Sequence, residues 1–239
     1  MTSYRGELSG VVATEVERVR AAFGKRQDQP WWDSWASVFN LQDRERRALG
    51  LLRRYGFLPL AEKAILDVGC GNGGWIQQLV RWGARPEHVT GIDLLVDRLA
   101  QARRRVPARV HLEASNAAEL PFPTASFDLV LQSTVFTSVL GQELRRKIGS
   151  EMLRVLKPDG LIVWYDFHVN NPWNPDVRRV TRREIHELFP GCRIDLRRVT
   201  LAPPLTGWVA PRSWLLTYAL SRIPPLCTHY LGAITKRVS

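Results

Sequence analysis

The sequence predicts an α/β fold: a seven-stranded, mostly parallel sheet with helices on both faces and an N-terminal helical extension. Three observations predict it. Short apolar runs of strand length alternate with segments of helical periodicity from about residue 61 onward. That alternation implies parallel strands covered on both faces. The first strand, in AILDVG, also runs straight into a glycine-rich turn, Gly69-Cys70-Gly71-Asn72-Gly73-Gly74, that opens a helix. We place the extension at residues 1–60 and the main domain at 61–239.

The extension comes first. Val11, Val12, Val16, Val19 and Phe23 are spaced as one face of a helix, and Gln29-Pro30 breaks it. Trp31-Trp32-Asp33-Ser34-Trp35 puts three indoles in five residues. Such a cluster either covers a ligand pocket or staples a helix onto the domain. RERRALGLLRRYGF then reads as an amphipathic helix closed by Gly56.

In the main domain, Trp75, Ile76, Leu79 and Val80 mark the helix after the glycine turn. The second strand runs from His88 to Asp93, and VDRLAQARRR is the next helix. ARVHLEA is the third strand and Phe127 to Ser133 the fourth. GQELRRKIGSEMLRVLK is a helix ended by Pro158 and Gly160, and LIVWYDF the fifth strand. TRREIHELF carries a capping box, with Thr181 as N-cap and Glu184 three residues later. CRIDLRRVTL is the sixth strand and THYLGAITK the seventh. Between them PRSWLLTYALSRIPP reads as one amphipathic helix stopped by two prolines.

Composition narrows the class. The 239 residues suffice for one α/β domain with additions, and 45% hydrophobic with 24% charged content is that of a soluble globular protein. The net charge of +11 points to nucleic acid, an anionic substrate, a membrane surface or simply an arginine-rich surface. Cys70, Cys192 and Cys227 are odd in number and lack CxxC spacing. That argues against a disulfide framework or a zinc site, and for a reducing compartment. MTSYRGELSG has no apolar run of a secretory leader, and no stretch approaches the ~20 apolar residues of a membrane span. The expected compartment is the cytoplasm.

A strand, a glycine turn and a helix N-terminus make a place where backbone approaches a ligand closely. Gly69-x-Gly71-x-x-Gly74 fits a dinucleotide turn. Asp67, two residues earlier, argues for a different ligand. A carboxylate there repels a pyrophosphate and suits a cation or an amino acid. Asp93 ends the second strand 24 residues after Gly69, where a carboxylate accepts from both hydroxyls of a ribose.

Two further runs follow in order: Asn116-Ala117, Leu120-Pro121-Phe122 and Phe127-Asp128-x-Val130, then Leu156-Lys157-Pro158-x-Gly160 before the fifth strand. Across residues 60–170 these motifs resemble the small-molecule branch of the class I S-adenosylmethionine-dependent methyltransferases. The resemblance implies a Rossmann-like methyltransferase fold and S-adenosylmethionine as donor. It implies that Asp67, Gly69, Cys70, Gly71 and Gly73 surround the donor and that Asp93 holds its ribose. Leu94 would pack on the adenine, while Asn116 and the Ala117 N–H would read its edge. Asn116 departs from the family, which has Asp there; both accept a hydrogen bond, but Asn is neutral. Gln132, with Ser133 and Thr134, would line the methyl-donor end.

Methyl transfer to a hydroxyl needs alignment and a base. Tyr165, Asp166 and His168 follow the fifth strand and are the candidate catalytic residues. Arg178, Arg179, Arg182 and Arg183 either hold an anionic acceptor or form a solvated face. The acceptor expected is a small molecule, anionic or glycan-linked or a secondary metabolite, and most simply a hydroxyl. The alternatives are RNA or DNA methylation, a non-catalytic adenosyl-binding partner protein, and a dehydrogenase. Base-amine methylation would want Asn/Asp-Pro-Pro-aromatic where Gln132-Ser133-Thr134 stands, and no cysteine follows a proline. Asp67 and the Leu120-Pro121-Phe122 run disfavour a dehydrogenase.

Overall fold

The structure is a computed structural model, and it describes residues 14–15, 17–19, 21–22, 34–171 and 174–237. Its centre is the predicted seven-stranded sheet: β1 (Ile65–Val68), β2 (Val89–Asp93), β3 (His111–Ala114), β4 (Phe127–Ser133), β5 (Leu156–Phe167), β6 (Cys192–Leu201) and β7 (Cys227–Lys236). The spatial order is β3-β2-β1-β4-β5-β7-β6. β1 pairs in parallel with both β2 and β4, and β7 lies antiparallel between β5 and β6. Successive connections leave β1 in opposite directions, so the switch point falls between β1 and β4. In open sheets the ligand crevice lies beyond the carboxyl ends of the strands at that point.

Strand burial explains the sheet. Every residue of β1 is buried, as are Leu129 to Gln132 of β4 and Gly160 to Asp166 of β5. Successive side chains point to opposite faces. Ile65, Leu129, Leu131, Leu161, Val163 and Tyr165 therefore join one core. Leu66, Val68, Val130, Ile162 and Trp164 join the other. The first core is covered by α1 (Trp35–Arg54) and α2 (Gly74–Arg81). The second is covered by α5 (Gln142–Val155) and α6 (Arg182–Leu188), together with the short α4 (Val135–Ser138). α3 (Val96–Arg103) follows β2 and turns Leu99 and Ala102 inward. The capping box at Thr181 and Glu184 is present with both reciprocal bonds.

Some boundaries differ from the sequence reading. α1 begins at Trp35, nine residues before Arg44, because Ser34 already has an extended N-cap geometry. β5 begins at Leu156 and runs through Pro158 and Gly160, which were expected to stop a helix; the helix stops at Val155. A helix the sequence reading did not single out starts at Pro203 and Pro204, since a helix's first turn has no intrahelical use for their missing N–H groups. That helix, α7 (Pro203–Val209), precedes the one expected from PRSWLLTYALSRIPP, which is present as α8 (Trp214–Leu220) and ends before Pro224 and Pro225.

Trp31 and Trp32 lie outside the described residues, as do the apolar positions Val11, Val12, Val16 and Phe23. Trp35 packs edge-on against Trp214 of α8, with ring centroids 6.1 Å apart. The described end of the tryptophan cluster therefore sits on α8. Among the described residues no helix is long and apolar enough to cross a membrane.

Candidate active site

The glycine turn has the geometry its composition demands. Gly69, Gly71 and Gly73 all have left-handed φ, at 69°, 55° and 82°. A β-carbon on Gly69 would stand 2.5 Å from Cγ2 of Val135, so the turn also requires close approach to α4. At Gly71 an added β-carbon meets only the end of the Arg98 side chain at 3.5 Å, so there the positive φ excludes other residues. Cys70 differs from the expectation. Its side chain is buried in the first core beneath Gly91, and burial pushes its thiol pKa up. It fills space and does not line the cavity.

Asp93 closes the turn from β2. Its two carboxylate oxygens accept from the backbone N–H groups of Gly71 and Leu95, each at 2.9 Å. Each oxygen keeps lone-pair capacity, which a pair of hydroxyls could use. Beyond it opens a cavity of about 210 Å³. Asp93, Leu94 and Asn116 line it, with Ala117, Gly69 and Thr134. Ile92, Leu144 and Ile148 make an apolar wall, as a flat heteroaromatic ring would want. Asn116 Oδ1 accepts from the Ala118 N–H at 3.0 Å, which fixes this loop. Thr134 is a non-glycine residue at φ 59°, pinned by its N–H to the Tyr165 carbonyl at 2.8 Å. Strain of this kind concentrates at functional sites.

Two cavity residues come from the extension. Glu15 and Val19 form part of the wall. Glu15 accepts from the Leu140 N–H at 2.8 Å and pairs with Arg18, which bonds the carbonyls of Ser138 and Asp176. Helical residues of the extension therefore cover this cavity, and the described end of the tryptophan cluster does not.

The other side of the turn is an uncompensated polar nest. Asp67 is 1% exposed, and neither carboxylate oxygen has a hydrogen-bond partner. Burial, with Asp93 nearby, pushes its pKa well above the carboxylate range, and Arg44 partly offsets this. The Arg44 guanidinium comes from α1 and lies over the Trp75 ring at 4.5 Å, with Tyr165 at 5.6 Å. Arg44 Nε and Trp75 Nε1 are also buried without partners. Gln132, which pairs with Val68 across the sheet, leaves Nε2 unbonded while Oε1 accepts from Val135 at 3.3 Å. Native proteins satisfy most buried polar atoms. A cluster of exceptions at the carboxyl edge of β1 and β4 is where a zwitterionic ligand would supply what is missing. Nothing in the sequence separates Arg44 from Arg46 and Arg47 on the same helix, so it was not foreseen.

The candidate catalytic residues are not brought to this cavity: Tyr165 and Asp166, inside the end of β5, and His168, just after it, are not part of its wall. Tyr165 is buried, with its hydroxyl 2.8 Å from Thr200 Oγ1 and its ring stacked on His229. Asp166 is 1% exposed and accepts from the N–H groups of Phe136, Thr137 and Phe167 and from the Thr137 hydroxyl. Burial raises its pKa to about 6 against those bonds. Both residues brace the sheet edge, which corrects the expectation that they act on substrate. His168 is half-buried, and burial lowers its pKa. Its Nε2 lies 2.9 Å from the Cys227 carbonyl and must donate to it, leaving the lone pair on Nδ1. Of the arginine cluster, Arg178 pairs with Glu184 and Arg183 with Glu187, so these two are not held free for an anion.

Comparison with known proteins matches this region. Residues 65–160 match the family described as "Methyltransferase domain". The chain is 33% identical over 135 residues to phthiotriol/phenolphthiotriol dimycocerosates methyltransferase of Mycobacterium tuberculosis, covering 54% of this chain and 48% of that protein. It is 32% identical over 168 residues to 27-O-demethylrifamycin SV methyltransferase of Amycolatopsis mediterranei, covering 64% and 58%. The chain thus spans about half the length of the curated relatives it matches. Among solved structures it resembles Burkholderia thailandensis 1,6-didemethyltoxoflavin-N1-methyltransferase, with a TM-score of 0.62 at 21% identity over 96% of this chain and 90% of that one. Residues 65–160 are therefore similar to the methyltransferase domain family, and the sheet that carries them has the Rossmann-like fold of that solved methyltransferase.

Proposed function

We propose that this protein transfers a methyl group from S-adenosylmethionine to a small-molecule acceptor, with a hydroxyl of a secondary metabolite or glycan-linked compound as the preferred class. The observation that carries the reading is the buried Asp67 carboxyl with neither oxygen bonded, within the field of Arg44, whose Nε is also unbonded, beside a cavity lined by Asp93. Asp67 suits the cationic end of the donor and Arg44 its carboxylate. Asp93 suits the ribose hydroxyls, and Asn116 with Ala117 the adenine edge. The relatives are named for methylation of phthiotriol and phenolphthiotriol dimycocerosates and of 27-O-demethylrifamycin SV, which supports a small-molecule acceptor.

When bound, the donor supplies an electrophilic methyl group on sulfur. The residues of this chain do the remaining work. They align the acceptor for in-line attack and exclude water. Glu15 and Val19, which the extension of residues 1–60 brings to the cavity wall, act as the lid. His168, just beyond β5 and outside the wall of the cavity, is the proposed base for an acceptor bound on that side, because its Nε2–H is held by the Cys227 carbonyl and burial keeps the ring neutral at physiological pH. His168→Ala should lower turnover on a hydroxyl acceptor by ~10²–10⁴-fold and leave donor affinity unchanged. A near-normal rate would remove His168 from the mechanism. S-adenosylhomocysteine should bind in a calorimeter and NADH should not compete; the reverse would replace this reading with a dehydrogenase.

A further inference from the structure

The face opposite the second core carries an anomaly that methyl transfer does not use. α7 and α8 are inside-out. Thr206, Thr217 and Ser221 are buried, each with its hydroxyl bonded to a nearby carbonyl. Trp208, Leu215 and Leu216 face outward at 64%, 79% and 49% exposure. Trp214, Tyr218 and Ile223 are exposed beside them, and Trp35 of α1 continues the surface through its contact with Trp214. Isolated exposed apolar residues need no account, but a contiguous set of tryptophan, leucine and isoleucine rimmed by polar groups marks an interaction surface.

The rim is basic. Arg212 lies over the Trp208 ring at 5.3 Å, and Arg46 and Arg222 lie over Tyr218 at 4.9 and 4.4 Å. Next to them opens a groove of about 270 Å³, lined by Arg46, Arg47, Arg54, Arg197, Arg222 and Asp195. Asp43 and Asp195 offset part of that charge through ion pairs with Arg46, Arg47 and Arg54. Five guanidiniums still face two carboxylates. No Asp or Glu occurs anywhere in the sequence after Asp195.

We propose that this face binds the surface of an anionic bilayer. Trp208, Trp214, Leu215 and Leu216 would enter the boundary between headgroups and acyl chains, while the arginine groove takes the lipid phosphates. Tryptophan and tyrosine favour that boundary, and surface binding grows with buried apolar area and with attraction to anionic lipid. A second copy of the chain fits poorly, because it would bring the same arginines against themselves. The proposal stands apart from the methyl-transfer reading, since neither Asp67 nor Asp93 takes part in it.

The test is sedimentation of the full chain with vesicles of phosphatidylcholine containing 30% phosphatidylglycerol, and with pure phosphatidylcholine. The wild type should bind the anionic vesicles, and brominated acyl chains should quench its tryptophan fluorescence. The double variant Trp208→Ser/Leu215→Ser should partition at least ~10-fold less, and Arg212→Glu/Arg222→Glu ~25-fold less, since each basic residue near the surface contributes about fivefold. All four side chains are exposed, so thermal midpoints and S-adenosylhomocysteine affinity should match the wild type. Absence of vesicle binding would overturn the proposal. So would binding that ignores the apolar double variant, which would mean only the attraction of a +11 protein. Dimers in light scattering that the same double variant dissolves, without vesicle binding, would assign the face to self-association and overturn it equally.

Discussion

Two strands of one sheet carry a buried aspartate one residue before their carboxyl ends, and the two aspartates live under opposite regimes. Asp67 is the penultimate residue of β1 on the first-core face and Asp166 that of β5 on the other, both 1% exposed. Asp166 receives four hydrogen bonds, three of which tie β5 to α4. Asp67 receives none. Burial raises both pKa values, but only at Asp166 do bonds to the ionised form pull back, to about 6. A satisfied buried carboxylate is part of the fold. One left unsatisfied costs stability and persists where something else uses it. The contrast separates structure from function at positions that look alike in sequence.

The largest effect that would break the contrast is at Asp166. Asp166→Asn keeps the shape but loses acceptor capacity and places an amide against backbone donors. We expect a loss of roughly 2–3 kcal/mol in denaturant-measured stability, the scale of hydrogen bonds to a charged group. Turnover per folded molecule should change little. A variant as stable as the wild type but inactive would return Asp166 to the chemistry.

Asp93 sharpens the other side. It is half structural, bonding Gly71 and Leu95, and half available. Asp93→Ala should weaken S-adenosylhomocysteine by roughly 1.5–3 kcal/mol, read by calorimetry, with a smaller loss of thermal stability. Unchanged affinity would show that the carboxylate serves the turn alone.

The smallest effect concerns pH. His229 is buried between Tyr165 and Phe167, and burial first, then Arg44 and His168, lowers its pKa to about 3. An unfolded histidine titrates near 6.5. The folded state therefore binds fewer protons between those values, so stability falls as pH drops below about 6.5 and the contribution is gone near 3. His229→Phe keeps the ring stacking and should flatten the acid limb of the stability–pH curve while changing stability at pH 8 little. An unaltered acid limb would place that loss elsewhere.

Much of this was legible in the sequence. The sheet follows from runs such as ILDV and LIVWYDF, and the ligand edge from three glycines with Asp67 before them and Asp93 after them. A local pattern with a fixed chemical meaning carries its own evidence. What was not legible depends on side-chain direction and on contacts distant in sequence. Tyr165, Asp166 and His168 stand at the right strand end, yet parity sends Tyr165 toward His229 and Asp166 toward α4. Arg44 resembles its arginine neighbours until α1 packs over Trp75. Cys70 sits inside the glycine turn but points into the core. α8 read as an ordinary amphipathic helix, and only its packing shows that its apolar side faces out.

The central claim is that Asp67 is kept unpartnered for the cationic end of the donor. Calorimetric titration of Asp67→Asn with S-adenosylmethionine, beside its thermal midpoint, tests it most directly. Removing a buried charge that no protein group compensates should leave the midpoint unchanged or raised, while donor affinity falls by ~10–100-fold, the value of one or two charge-assisted hydrogen bonds. Because burial raises the free carboxyl's pKa, wild-type binding of the cationic donor should also tighten as pH rises, and the variant should lose that dependence. A variant that binds the donor as tightly as the wild type, or one that unfolds, would contradict the account and make Asp67 a structural residue like Asp166.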